Sequence, residues 1–138
     1  MERIPAFALR HPRWCALLLG LLSATGFQPL HIWPLGLAAM AGFVWLACLQ
    51  ENGKGAFLTG WLFGVAHFTL TNNWIATAFT YQAEMPAILG WAAVPLLSLY
   101  LAVWPALATL GARLLTRGSG LLPFALALGG LWIGAEWF

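Results

Sequence analysis

The stretch 56–80 reads AFLTGWLFGVAHFTLTNNWIATAFT, and it decides the fold class. It carries no acidic or basic side chain apart from one histidine, and it is longer than the roughly 20 apolar residues that a helix needs to cross a bilayer. Within lipid, a spanning backbone has to satisfy its own hydrogen bonds, which favours a helix over a lone strand. The stretch therefore predicts a membrane-spanning helix whose polar groups lie in its second half.

Four further apolar blocks flank this stretch, at 14–27, 32–49, 87–112 and 121–138. The first is short for a span, and the interruption at Pro29 predicts that it forms a hairpin with the second. No block shows the alternation of polar and apolar residues that is typical of barrel strands. We therefore predict an all-α integral membrane bundle of about five transmembrane helices, forming one domain over residues 1–138.

The composition agrees with this class. Hydrophobic residues make up 62% of the chain and charged residues only 7%, with a mean hydropathy of +0.83. Soluble domains carry about 25% charged residues, so too few polar groups remain here to cover a surface facing water. The net charge of +2 is scattered along the chain and forms no basic patch, which argues against nucleic-acid binding.

The cationic side chains set the expected orientation. If the N-terminus is cytoplasmic, the inner segments 1–13, 50–55 and 113–120 contain every Lys and Arg of the chain. The outer turn 81–86 contains no basic residue, and its one charged residue is Glu84. This distribution follows the positive-inside rule. The basic residues are Arg3, Arg10, Arg13, Lys54, Arg113 and Arg117. We expect a multi-pass membrane protein with a cytoplasmic N-terminus. A cleaved signal peptide over the first block is the alternative, but the apolar character resumes directly after Pro29.

One face of the central stretch holds the main candidate site. Gly60, Gly64, His67, Thr71 and Trp74 recur at helical spacing and so share a face. Glycines four residues apart allow another helix to approach closely. Similar small pairs occur at Gly130 and Gly134, and at Ala38 and Gly42.

Two interpretations of the polar residues on this stretch stay open. His67, Asn72 and Asn73 either find partners on neighbouring helices within a packed bundle, or line a polar cavity open to the outer leaflet. Glu136, beside Trp137, is the sole acidic residue inside a predicted span. It is either an interfacial carboxylate that reaches the headgroups or a functional group.

A second candidate cluster is weaker. Cys48, Glu51 and Lys54 lie three residues apart, as a nucleophile with a base and a cation would, but they straddle a turn and are more simply explained as surface residues. Cys15 and Cys48 both fall near the reducing cytoplasmic face, so no disulfide is expected. The three histidines fall at different levels, and neither a metal site nor a cofactor is expected.

Several motifs resemble the N-terminal membrane region of the apolipoprotein N-acyltransferases. They are GFQPLHIWPL at 26–35, GWLFGVAHF at 60–68 followed by NWI at 73–75, YLAVWPAL at 100–107 and LWIGAEW at 131–137. Their order and spacing extend over nearly the whole chain. Within them, Trp74, Glu136 and Trp137 match membrane positions of the family.

The resemblance implies an enzyme of the bacterial inner membrane that transfers an acyl chain from a phospholipid to the N-terminal diacylglyceryl cysteine of a lipoprotein. The family performs this in a nitrilase-like domain outside the membrane, with a Glu–Lys–Cys triad that forms a thioester. No residue of this chain matches that triad, so we expect the chain to be the membrane part, with the catalytic domain supplied in cis or in trans. The alternative is a non-enzymatic membrane module, such as a small transporter subunit or scaffold, that self-assembles through its glycine faces.

Overall fold

The computed structural model describes residues 7–8, 10–81, 86–117, 119–135 and 137, and every regular element in these ranges is an α-helix. The helices defined here are α1 (Pro12–Ala24), α2 (Trp33–Cys48), α3 (Gly53–Thr71), α4 (Trp74–Thr80), α5 (Ala87–Leu101), α6 (Val103–Leu115) and α7 (Leu121–Ala135). The predicted all-α fold class is confirmed. Glu84 and Glu136 lie outside the described residues.

Local sequence explains where three of these helices begin. Pro12 and Pro34 stand in the first turns of α1 and α2, where a proline costs no helical hydrogen bond. Asn52 caps α3, because its side-chain Oδ1 accepts a hydrogen bond of 2.6 Å from the backbone N–H of Gly55.

The predicted hairpin joins α1 to α2 through a tight connection. The backbone N–H of Ile32 donates to the carbonyl of Thr25 at 3.0 Å across the turn. The turn contains a cis peptide bond between Gln28 and Pro29, and His31 has a positive φ of 52°. The two helices then pack side by side, as the interruption of the apolar sequence predicts.

The helix bounds differ from the apolar blocks in two places. The block 56–80 contains two helices, since the chain turns at Asn72 and Asn73 before α4 begins. The block 87–112 extends to Leu115, and α5 and α6 are separated only at Ala102. Among the described residues, the run Ile88–Leu115 is the one that is both long and apolar enough to cross a membrane, while three other helices are apolar but shorter. The count of about five spans stays a prediction.

The core lies among α1, α2, α3, α6 and α7 and contains a cluster of aromatic side chains. The rings of Phe43 and Phe63 stack with centroids 4.0 Å apart, and Trp132 meets Phe43 edge-on at 6.5 Å. Phe43, Phe63, Phe124 and Leu46 are the largest hydrophobic side chains that are fully buried. Stacked and edge-on rings add attraction beyond the area they bury, so this cluster ties α2, α3 and α7 together.

Glycines set how closely α3 packs against its neighbours. A Cβ on Gly60 would lie 2.5 Å from Thr109 Oγ1 and 2.7 Å from the Pro105 carbonyl oxygen, and a Cβ on Gly64 would lie 2.7 Å from the Pro105 ring. At the contact with α1, a Cβ on Gly20 would clash with the carbonyl oxygen of Phe63. These contacts bring α3 into backbone contact with both α1 and α6.

Candidate functional site

A cavity of about 740 Å³ lies at the end of the bundle where α1 and α3 finish and α2 begins. Pockets that bind small molecules usually measure about 300–1,000 Å³ and have mostly apolar walls with a few polar groups. The volume of this cavity falls within that range, and its walls are likewise mostly apolar. Its lining residues are Ser23, Gly26, Phe27, Trp33, Gly36, Leu37, Met40, Phe63, His67, Phe68, Thr71, Asn72, Leu101 and Trp132.

A hydrogen bond between two helices provides the cavity with its main polar feature. Ser23 Oγ on α1 and His67 Nδ1 on α3 are 2.7 Å apart, and Ser23 Oγ also lies 2.8 Å from the carbonyl oxygen of Gly20. A hydroxyl has a single proton. Therefore either Ser23 donates to Gly20 and accepts from His67, or it donates to His67. In both arrangements His67 Nδ1 has a partner on α1.

Aromatic side chains surround the His67 ring on three sides. The ring centroids of Phe27, Phe63 and Phe68 lie 5.5, 5.9 and 5.3 Å from that of His67. Phe63 is stacked with the imidazole, whereas the other two rings meet it edge-on. The imidazole is therefore held in one orientation by the three rings and by Ser23.

The surroundings of His67 thus include a feature expected from each of its two interpretations. Its Nδ1 has a cross-helix partner, as a packed bundle requires, and the same side chain lines a cavity. Asn72 and Thr71 line the cavity as well, and the Thr71 hydroxyl donates to the His67 carbonyl at 3.0 Å. That the cavity receives a substrate stays a prediction.

The other predicted site residues lie away from this cavity. Asn73 and Trp74 are exposed at the start of α4, with 66% of the Trp74 surface accessible. Trp137 is 86% exposed beyond the end of α7. Glu136 lies outside the described residues, so its two interpretations stay open.

The glycine pairs on α3 and α7 differ in their surroundings. The face of Gly60 and Gly64 is covered within the chain by Ala102, Pro105 and Thr109. By contrast, no described atom lies within 4 Å of the position that a Cβ would take on Gly130 or Gly134. The α7 pair therefore makes no close helix contact within the described part of the chain.

Sequence reasoning did not single out Ser23 as a site residue. Nothing in a single sequence connects Ser23 with His67, which lies 44 positions further along the chain. It also missed the close contact between Gly26 and Gly36, where a Cβ on Gly36 would lie 3.1 Å from the Gly26 Cα. This contact brings the turn after α1 close to the first turns of α2 beside the cavity.

The opposite end of the bundle holds Cys48, Glu51 and Lys54. Cys48 closes α2 and packs against the hydrophobic core, while Glu51 and Lys54 are exposed. The guanidinium of Arg113 donates to the Glu51 backbone carbonyl at 3.4 Å, which joins the α2–α3 loop to α6. Cys15 and Cys48 are free thiols. Within the ranges that the structure describes, no group of three or more His, Cys, Asp or Glu side chains could hold a metal ion.

The fold and site define an α-helical bundle with a mostly apolar cavity and a serine–histidine pair in its wall. Over residues 19–138 the chain matches the family described as the apolipoprotein N-acyltransferase N-terminal domain. The chain therefore belongs to the apolipoprotein N-acyltransferase family.

Three relatives, each an apolipoprotein N-acyltransferase, illustrate the similarity. The protein of Ralstonia nicotianae is 33% identical over 136 residues, which cover 97% of this chain and 26% of that protein. The Rhodopseudomonas palustris protein is 36% identical over 82% of this chain and 22% of its own length. The Shewanella oneidensis protein is 30% identical over 99% of this chain and 28% of its own length. The chain thus spans about a quarter of the length of these relatives.

Proposed function

We propose that this chain is the membrane-embedded N-terminal part of an apolipoprotein N-acyltransferase. The observation that carries the proposal is the family match over residues 19–138, together with relatives that align from one end of this chain to the other. The reaction proposed for the whole enzyme is transfer of an acyl chain from a phospholipid to the N-terminal amine of a diacylglyceryl cysteine. The part of the enzyme corresponding to the rest of the relatives' length supplies the nucleophile.

In this proposal the helices hold the enzyme in the bacterial inner membrane with the N-terminus in the cytoplasm. The distribution of basic side chains supports that orientation. In that orientation the cavity at His67 faces the outer leaflet, as do the ends of α1 and α3 and the start of α2. Confining the enzyme to the bilayer that contains both lipidated substrates raises their effective concentration.

The mostly apolar cavity is proposed to accept part of a lipid acyl chain during the reaction. Its volume of about 740 Å³ and its aromatic walls support this role, since an acyl chain needs an apolar space open to the leaflet. His67 and Ser23 would provide polar groups at fixed positions in the cavity wall, to which a lipid ester or amide group could hydrogen-bond.

A chimera tests the proposal. Residues 1–138 replace the aligned N-terminal part of the Ralstonia nicotianae relative in cells depleted of their own N-acyltransferase, and mass spectrometry follows acylation of a lipoprotein N-terminus. We expect triacylated lipoprotein with the chimera, and only diacylated lipoprotein when residues 1–138 are expressed alone. The intact relative is the positive control. A chimera that accumulates in the membrane at the level of the intact relative, yet leaves the amine free, would contradict the proposal.

A further inference from the structure

A second concave surface lies at the end of the bundle opposite the His67 cavity. It is an open groove of about 960 Å³ between the start of α3 and the end of α6. We call it the basic groove. Its cations are Lys54 and Arg117, and its apolar walls are Phe57, Leu58, Leu110 and Leu114.

The charged and apolar parts of the basic groove are separated along the helix axes. Lys54 lies in the first turn of α3, and Leu58 follows one turn later, about 6 Å deeper along the helix. Arg117 follows the end of α6, and Leu114 and Leu110 lie progressively deeper on that helix. The groove therefore has a cationic mouth and an apolar interior, which is the polarity of a phospholipid.

The cations at the mouth have no anionic partner within the described part of the chain. Lys54 and Arg117 are both exposed, and neither forms an ion pair with a described carboxylate. Glu51 is the sole acidic residue among those described, and its backbone carbonyl, not its carboxylate, is what Arg113 contacts. That contact joins the segment before Lys54 to α6, so the two sides of the mouth are held together.

From this arrangement we infer that the basic groove binds one anionic phospholipid of the cytoplasmic leaflet. The phosphate lies between Lys54 and Arg117, and an acyl chain lies along Phe57, Leu58, Leu110 and Leu114. The inference rests on the proposed orientation, in which this end of the bundle faces the cytoplasm. Basic pockets between helices on that side are suited to anionic headgroups, because charge attraction adds to burial of the chain.

Native mass spectrometry of the full chain in detergent tests this site. The probe is dioleoylphosphatidylglycerol, and dioleoylphosphatidylcholine is the zwitterionic comparison. Each basic residue near an anionic lipid surface contributes a factor of about five in binding, so the double variant Lys54→Gln/Arg117→Gln is expected to raise the Kd of the tightest phosphatidylglycerol site about thirtyfold. Binding of phosphatidylcholine is expected to change less than twofold.

The matched control is the double variant Arg10→Gln/Arg13→Gln. It removes the same charge at the same end of the bundle from exposed positions outside the groove. We expect it to leave the tight site within twofold of the wild-type Kd. An equal loss in both double variants, or no loss in either, overturns the inference, because the attraction would then be general or absent.

Two further measurements identify the occupant. Leu114→Ser, at a wall position that is 47% exposed, is expected to weaken phosphatidylglycerol binding severalfold without unfolding the chain. Inorganic phosphate is expected not to compete; competition at millimolar phosphate would show a simple anion site and overturn the lipid assignment. These experiments need no acyl transfer. An active chimera with unaltered lipid binding in every variant therefore rejects this inference alone, and an inactive chimera with the expected binding rejects only the proposed function.

Discussion

At the scale of single residues, the Ser23–His67 pair is the feature that most distinguishes this bundle from a purely apolar one. It combines a structural contact with a place in a cavity wall, and the two roles require different tests. A hydrogen bond between helices in a membrane contributes about 0.6 kcal/mol on average and up to about 1.7 kcal/mol. The aromatic rings around His67 would still pack against an apolar ring of similar shape.

A double-mutant cycle measures the contact. Ser23→Ala is expected to lower the free energy of unfolding by about 1 kcal/mol in the wild-type background, because it leaves His67 Nδ1 without its partner. In a His67→Phe background the same substitution is expected to cost far less. The measurement is unfolding of the detergent-solubilised chain by titration with a denaturing detergent. Equal costs in both backgrounds would show that the two side chains are not coupled.

A cavity-filling variant tests the second role. Leu37 lines the cavity and is 62% exposed, so Leu37→Trp should occupy part of the space without disturbing the core. In the chimera we expect N-acylation to fall severalfold. Leu18→Trp, on α1 at a position that is 55% exposed and outside the cavity lining, is the control. Equal activity of both variants would mean that the cavity does not take part in the reaction.

At the scale of helices, α3 is the element that organises the bundle. It contacts α1 through Gly20, contacts α6 through its own glycines, and contributes Phe63 to the aromatic core. In the proposed membrane location, lipid is as apolar as the helix surfaces, so association would depend on close packing and not on removal of apolar surface from water. Small residues would then matter more than they do in a soluble domain.

Two alanine substitutions compare a covered glycine with an open one. Gly60→Ala places a Cβ against Thr109 and the Pro105 carbonyl, so the helices have to separate, and we expect a loss of about 1–3 kcal/mol in unfolding free energy. Gly130→Ala meets no described atom within 4 Å and is expected to change stability by less than about 0.5 kcal/mol. Detergent denaturation provides both values. A similar loss at Gly130 would indicate a close contact of α7 with another segment.

At the scale of the whole molecule, the distribution of charge and the position of the cavity are linked through topology. The cationic ends of α3 and α6 and the His67 cavity lie at opposite ends of the bundle. If the basic end faces the cytoplasm, the cavity faces the outer leaflet, where the proposed reaction takes place. Reversing the topology would reverse both assignments.

Reporter fusions test this orientation. Alkaline phosphatase folds only outside the cytoplasm, so we expect activity when it is fused within 82–85 and none when it is fused after Gly55 or Gly120. A cytoplasmic reporter such as a fluorescent protein is expected to give the complementary pattern. Phosphatase activity after Gly55 together with inactivity within 82–85 would reverse the predicted topology and remove the support for both proposed sites.

The sequence by itself determined the fold class and the family resemblance. A chain with 62% hydrophobic residues and only 7% charged residues predicts a helical membrane bundle in preference to a soluble domain, and the order of the motifs around Trp33, Trp74 and Trp104 indicated the family. Three helix starts also follow local sequence, since prolines lie in the first turns of α1 and α2 and Asn52 caps α3, and the effect of a capping residue or a proline on the backbone is local.

Only the tertiary structure decided which helix faces meet. Helical spacing puts Gly60, Gly64 and His67 on one face, but it cannot say that α6 covers the glycines while Ser23 of α1 reaches the histidine. In helices that are apolar nearly all round, no single stripe marks the buried side, so the partner of each face depends on the shape of the whole bundle. For the same reason the close packing of Gly60 and the open surroundings of Gly130 became clear only from the assembled helices.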